Sequence, residues 1–131
     1  MNHINNVSLL FFSIMLMFTI TSCNKDIENC IEDMSGSYTG TQTCYAGTTY
    51  DVVVGQGNET EEVVVNIQGF FGFTGIVDEN CAMVINEQTL DFGSYTATVS
   101  GTGTFSENNL VLNLNQTVSG STYNCTFTLN K

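Results

Sequence analysis

The side chains of this 131-residue chain that could do chemistry are few: five cysteines, one histidine, two lysines, no arginine and thirteen carboxylates. General acid–base catalysis near neutral pH usually runs on a histidine, and a nucleophilic cysteine or serine needs such a base beside it. Here the histidine is His3, within a leader-like segment, and the lysines, Lys25 and Lys131, lie near the two ends of the remaining chain. Paired carboxylates hydrolyse glycosides only where two converge on a cleft. Glu59, Glu61 and Glu62, like Asp78 with Glu79, instead cluster in turn-like segments that read as a solvated rim. The acidic run 57–62 carries oxygen ligands of the kind calcium takes, but without the D-x-D-x-D-G spacing of a calcium loop. No catalytic residue, metal ligand or cofactor is therefore assigned. The formal charge of -11 argues against nucleic acid as a partner, because phosphate contacts are built on Lys and Arg.

The cysteines carry more information. Cys30, Cys44, Cys81 and Cys125 have no C-x-x-C clip and no nearby histidine, which disfavours zinc. An even number in an exported domain reads as two disulfides. The remaining one, Cys23, belongs to a different signal. Residues 7–20 (VSLLFFSIMLMFTI) form an apolar run of 14 residues. That is short of the ~20 needed to span a bilayer and has the length of a signal-peptide core. It ends in Ile20-Thr21-Ser22-Cys23, which resembles a bacterial lipobox. The resemblance implies acylation at Cys23 with palmitate-type chains and cleavage just before it. The organisation expected is a signal peptide over 1–22, lipidated Cys23 and a tether over 23–35, and a β domain over 36–131. The tract Asn24-Lys25-Asp26-Ile27-Glu28 is similar to the Lys-plus-acidic export signal of Bacteroidetes lipoproteins. It implies an outer-membrane lipoprotein, exposed at the surface or facing the periplasm, whose membrane contact is its N-terminal lipid.

Past residue 35 the chain reads as strands. Residues 94–105 alternate Tyr95, Ala97, Val99, Gly101, Gly103 and Phe105 with Ser and Thr, the period of a strand with one buried and one wet face. Gly101 and Gly103 on the inner face point to a sharp bend, as where a sheet coils. Tyr123, Cys125, Phe127 and Leu129 alternate likewise, as do Leu110, Leu112 and Leu114. Asn108-Asn109 and Ser119-Gly120 are the hairpin tips between them. Earlier strands are expected over 37–45, 49–54, 61–67, 73–78 and 81–86, with a helical turn over 27–34. Eight short antiparallel strands with tight turns predict an all-β up-and-down barrel, with a two-sheet β-sandwich as the alternative.

Gly36-Ser37-Tyr38-Thr39-Gly40, Gly101-Thr102-Gly103-Thr104-Phe105 and Asn108-Asn109-Leu110 resemble the small lipocalin-like lipoproteins of flavobacteria. Lipocalins carry Gly-x-Trp at the first strand; Gly36-Ser37-Tyr38 stands in its place, and no basic residue is assigned to pack over that ring. The resemblance implies a barrel whose interior could hold a small apolar molecule. Candidate binding rings are Tyr38, Tyr50, Tyr95 and Tyr123, with Phe105 and Phe127 beside them; the alternative is that they only fill the core. Phe70, Phe71 and Phe73 form an aromatic tip that touches a ligand or sugar, or else closes one barrel end. Two functions stay open: a binding module for a small apolar molecule or glycan, and a structural or interaction lipoprotein with a filled core.

The meander also predicts the disulfides. If the first and last strands pair with Ser37 near Asn130, Cys44 falls opposite Tyr123, a diagonal step from Cys125. Cys30 and Cys81 both lie at the other end. A bond from Cys44 to Cys81 would have to cross roughly 20 Å of barrel at ~3.3 Å per residue, against the ~7 Å that a disulfide tolerates between Cα atoms. The expected pairs are Cys44–Cys125 and Cys30–Cys81.

Overall fold

The computed structural model describes residues 26–131. The segment expected to be a leader, the lipobox-like Ile20–Cys23 and the expected lipidation site Cys23 all lie outside the described residues. The chain enters through α1 (Ile27–Met34), then runs through β1 (Gly36–Gln42), β2 (Thr49–Gln56), β3 (Glu62–Ile67) and β4 (Phe71–Val77). It continues through β5 (Ala82–Asp91), β6 (Thr96–Ser106), β7 (Asn109–Val118) and β8 (Ser121–Asn130). Each strand pairs antiparallel with the next, and β1 pairs with β8, so the sheet closes into the up-and-down barrel and not the sandwich.

Alternation decides what lies inside. Val63, Val65 and Ile67 of β3 face Leu110, Leu112 and Leu114 of β7 across an interior that also holds Val52, Phe73, Met83 and Phe127, all buried. Each such side chain contributes roughly 1.5–3 kcal/mol relative to exposure. The interior of the lower barrel is thus a packed core. Two inward glycines permit the coiling. A Cβ at Gly40 would overlap the Thr128 carbonyl oxygen, and one at Gly101 the Asn113 carbonyl oxygen. Each glycine pairs with an inward leucine of the neighbouring strand, Leu129 and Leu114 respectively, so the two close approaches are alike. At the tip of the last hairpin, Ser119 and Gly120 both take positive φ (50° and 82°), as a two-residue primed turn requires. The preceding tip is Glu107-Asn108, one residue earlier than expected, with Ser106 paired to Asn109.

One end of the barrel is closed by α1. Cys30, Ile31 and Met34 recur at helical spacing and are buried, with Ile27 packed against the same cluster. Donors from outside the helix meet its terminal carbonyls: the Tyr38 hydroxyl donates to Met34 O at 2.6 Å, and Lys131 Nζ to Asp33 O at 2.6 Å. The lysine also places its charge where the helix dipole favours a cation. Two expectations are corrected here. The stretch assigned to the tether contributes a helix to the core, because its apolar residues share one face. Tyr38 does have a basic residue over its ring, since Lys131 Nζ sits 5.6 Å from the ring centroid.

Both disulfides are those expected. Cys30–Cys81 ties α1 to the start of β5, and Cys44–Cys125 extends the β1–β8 closure, with Cα separations of 5.2 and 5.3 Å. The register differs from the expected one. Thr39, not Ser37, pairs with Asn130, and Gln42 pairs with Phe127, which carries Cys44 directly opposite Cys125. A two-residue offset preserves the faces, so the pairing argument survives it.

Candidate functional site

The site begins with an irregularity in β5. Met83 and Ile85 point inward, paired with Gly103 and Gly101; the next pair is Gln88 with Val99, so an extra residue is accommodated between Ile85 and Gln88. Such a bulge reverses the alternation. Gln88 and Leu90 turn inward in place of Glu87 and Thr89, and the strand expected to end at residue 86 runs on to Asp91.

The bulge also parts β5 from β4. These strands pair only at Ile76↔Val84 and Val77↔Met83. Above that, the Gln88 side chain replaces the missing ladder: Nε2 donates to Thr74 O at 2.7 Å, and Oε1 accepts from Thr74 N at 2.9 Å. A side-chain amide thereby zips the seam at one rung. On the outer side of the seam, Ile76 and Val84 border a shallow groove with Gln88 at its edge.

Beyond Gln88, at the end of the barrel away from α1, a cleft of about 240 Å³ opens. Phe70 and Phe71, from the β3–β4 turn and the first residue of β4, line it on one side. Phe92 and Tyr95, from the β5–β6 loop, line it on the other. Its apolar floor includes Leu90, Val99 and Val118, and its polar residues are Gln116, Thr98 and Tyr95. No Asp, Glu, Lys or Arg lines it.

Both loops are held locally. Asp91 Oδ1 accepts from Gly93 N at 2.7 Å, Gly93 takes φ 79°, and Phe92 N donates to Tyr95 O at 3.0 Å. This brings the Phe92 and Tyr95 rings into a stack with centroids 4.8 Å apart and planes at 15°. Phe70 N donates to Ile67 O at 3.0 Å, and the Phe70 ring stands edge-on to Tyr50 and to Phe71. Exposed rings continue around this end. Tyr45, Phe70, Tyr95 and Tyr123 are each about half exposed, between 46% and 53%.

The candidate rings therefore separate. Phe70, Phe71 and Tyr95 line the cleft. Tyr50 and Phe73 are buried, packed against Phe70 and Phe71 respectively. Tyr38 is at the closed end under α1, where burial pushes its hydroxyl up to about 12, so it is a core and helix-docking residue. Phe105, half-buried, lies there too, under the Lys131 ammonium, and Phe127 is buried in the core. Tyr95 and Tyr123 are corrections to the inward assignment: they continue the alternation of β6 and β8, but at the rim, where no layer covers them. Phe92, Leu90, Gln88 and Gln116 were missed. For the first three the signal is the interval of five between Ile85 and Leu90, an odd spacing that two-fold alternation cannot place on one face, whereas Gln116 continues the inward series Leu110, Leu112 and Leu114.

One buried polar atom near this end stands apart. Gln42 is buried, and its Oε1 accepts no hydrogen bond. Among the described residues no group of three or more His, Cys, Asp or Glu is placed to hold a metal, and no helix is long and apolar enough to cross a membrane. No family model matches this chain, and comparisons with curated proteins and with solved structures found no match.

Proposed function

We propose that this chain is an exported, lipid-anchored, non-catalytic binding module that holds a small apolar molecule or glycan in the aromatic cleft. The observation that carries this reading is the cleft itself, an uncharged cavity between two ring-bearing loops on a barrel whose remaining interior is filled. The lipobox at Ile20–Cys23 and the two disulfides, which persist in oxidising compartments, support export. An anchor at Cys23 would join the domain at the end closed by α1. The cleft would then face away from the membrane.

A neutral naphthylamine dye that fluoresces in apolar surroundings tests the cleft. Saturable one-to-one uptake should occur and should be lost in Ala97→Trp, which fills the cleft from its β6 wall. Absence of saturable uptake, or uptake indifferent to Ala97→Trp, would favour the second reading, a structural or interaction lipoprotein. That reading draws on the packed interior around Leu112 and Phe127. The anchor is tested separately. Cys23→Ala should move the folded domain out of the membrane fraction, and its retention there would refute lipidation.

A further inference from the structure

Resting on the reading of the cleft as a ligand site, but setting a cation with an apolar surface in place of a neutral molecule or glycan, we infer that its ligand is a small organic ammonium cation without N–H donors, such as a quaternary ammonium. Three observations converge on this class. The first is the set of rings. Phe70 and Phe71 on one side, and Phe92 and Tyr95 on the other, present aromatic surface to one small cavity. Ring faces attract cations, by about 0.5–1 kcal/mol when exposed and about 2 or more when desolvated.

The second is the field. The chain carries a formal charge of -11. Its one cationic side chain among the described residues, Lys131, is at the opposite end, engaged with Asp33 O and lying over the Tyr38 and Phe105 rings. A potential of this sign raises the local concentration of cations and depletes anions. A fatty acid or phosphorylated ligand would enter against that field and find no basic partner in the lining.

The third is what the polar lining lacks. No carboxylate is present to pair a charge, and the residues of the lining with polar side chains are Gln116, Thr98 and Tyr95. A primary ammonium brings three donors that need acceptors, and a sugar brings hydroxyls around its whole edge. A quaternary ammonium has no donor to satisfy and covers its charge with methyl groups that suit aromatic and aliphatic walls. The cleft, about 240 Å³, lies below the ~300–1,000 Å³ typical of drug-sized sites, so the ligand is compact.

The test is displacement of the naphthylamine dye from the wild-type domain by three compounds of nearly one shape. These are choline, its carbon isostere 3,3-dimethylbutan-1-ol, and the anion 3,3-dimethylbutanoate. Choline should displace the dye at a concentration at least tenfold lower than the neutral alcohol, and the anion should be weakest. Tyr95→Leu, which replaces one ring of the lining by an aliphatic side chain, should reduce the ratio of choline to alcohol affinity several-fold. Equal displacement by choline and the alcohol, or stronger displacement by the anion, would overturn the cation assignment while the cleft reading stood. Failure of the dye itself to bind saturably would instead remove the cleft reading on which the assignment rests.

Discussion

Removing the Cys30–Cys81 disulfide should separate the structural end of the barrel from its ligand end. The bond closes a loop of 51 residues. In the chain-entropy treatment, a loop of that length removes about 14 cal/mol/K from the unfolded ensemble, or about 4 kcal/mol at 25 °C. Cys30 is fully buried among the helix residues that cap the core, so its contact with β5 is native packing as well as a tether. Strain and residual structure commonly reduce the entropic figure, so the double variant Cys30→Ala/Cys81→Ala should lose about 3–4 kcal/mol. A domain of this size has ~5–15 kcal/mol to lose, so the variant should remain folded at low temperature. Urea titration followed by far-ultraviolet circular dichroism reads the loss, and amide exchange should show α1 opening well before β7 and β8. Dye affinity should not change, since the cleft is at the other end. A loss below about 1 kcal/mol with α1 still protected would refute the claim that the bond holds α1 on the barrel.

Particular contacts set the remaining expected outcomes. Gly101→Ala should destabilise by roughly 2–3 kcal/mol, because its Cβ meets backbone of β7 that cannot withdraw. Gly55→Ala, where nothing lies within 4 Å, should be neutral or slightly stabilising in the same urea titration. Gln88→Leu should cost roughly 1–3 kcal/mol by leaving Thr74 N and O without their amide partner, and should speed amide exchange at the β4–β5 seam first. Tyr38 adds a pH dependence. Its folded value of about 12 lies above its unfolded value of 10.0, so its contribution is present below pH 10 and is lost as pH rises towards 12. Stability should therefore fall across that window by at most about 2–3 kcal/mol, a fall that Tyr38→Phe should remove. A fall of equal size in Tyr38→Phe would show that other groups cause it.

The sequence disclosed the fold wherever alternation ran unbroken. Leu110, Leu112 and Leu114 could only face one way, and the glycine at 101 marked a place where the neighbouring backbone leaves no room for a Cβ. Faces were more legible than register, because period-two patterning is blind to a slip of two residues; hence the correct disulfides from an incorrect offset. The site was legible only in part. Phe70 and Phe71 stood out as an aromatic tip, but Leu90 and Phe92 lie beyond a bulge that resets the alternation. Strict periodicity stopped the strand at residue 86. Tyr95 and Tyr123 illustrate the opposite failure: alternation says which face a side chain takes, not whether anything covers it at the end of a barrel. Lys131 over Tyr38 joins two ends of the chain that only barrel closure brings together.

The most direct test of a barrel filled below and receptive at its aromatic end is amide chemical-shift mapping with saturating naphthylamine dye. Perturbations should concentrate in residues 69–71, 90–99 and 116–118, while Val63, Leu110 and Leu112 in the filled interior stay unmoved. Shifts centred on those interior residues, or scattered without saturation, would contradict the account.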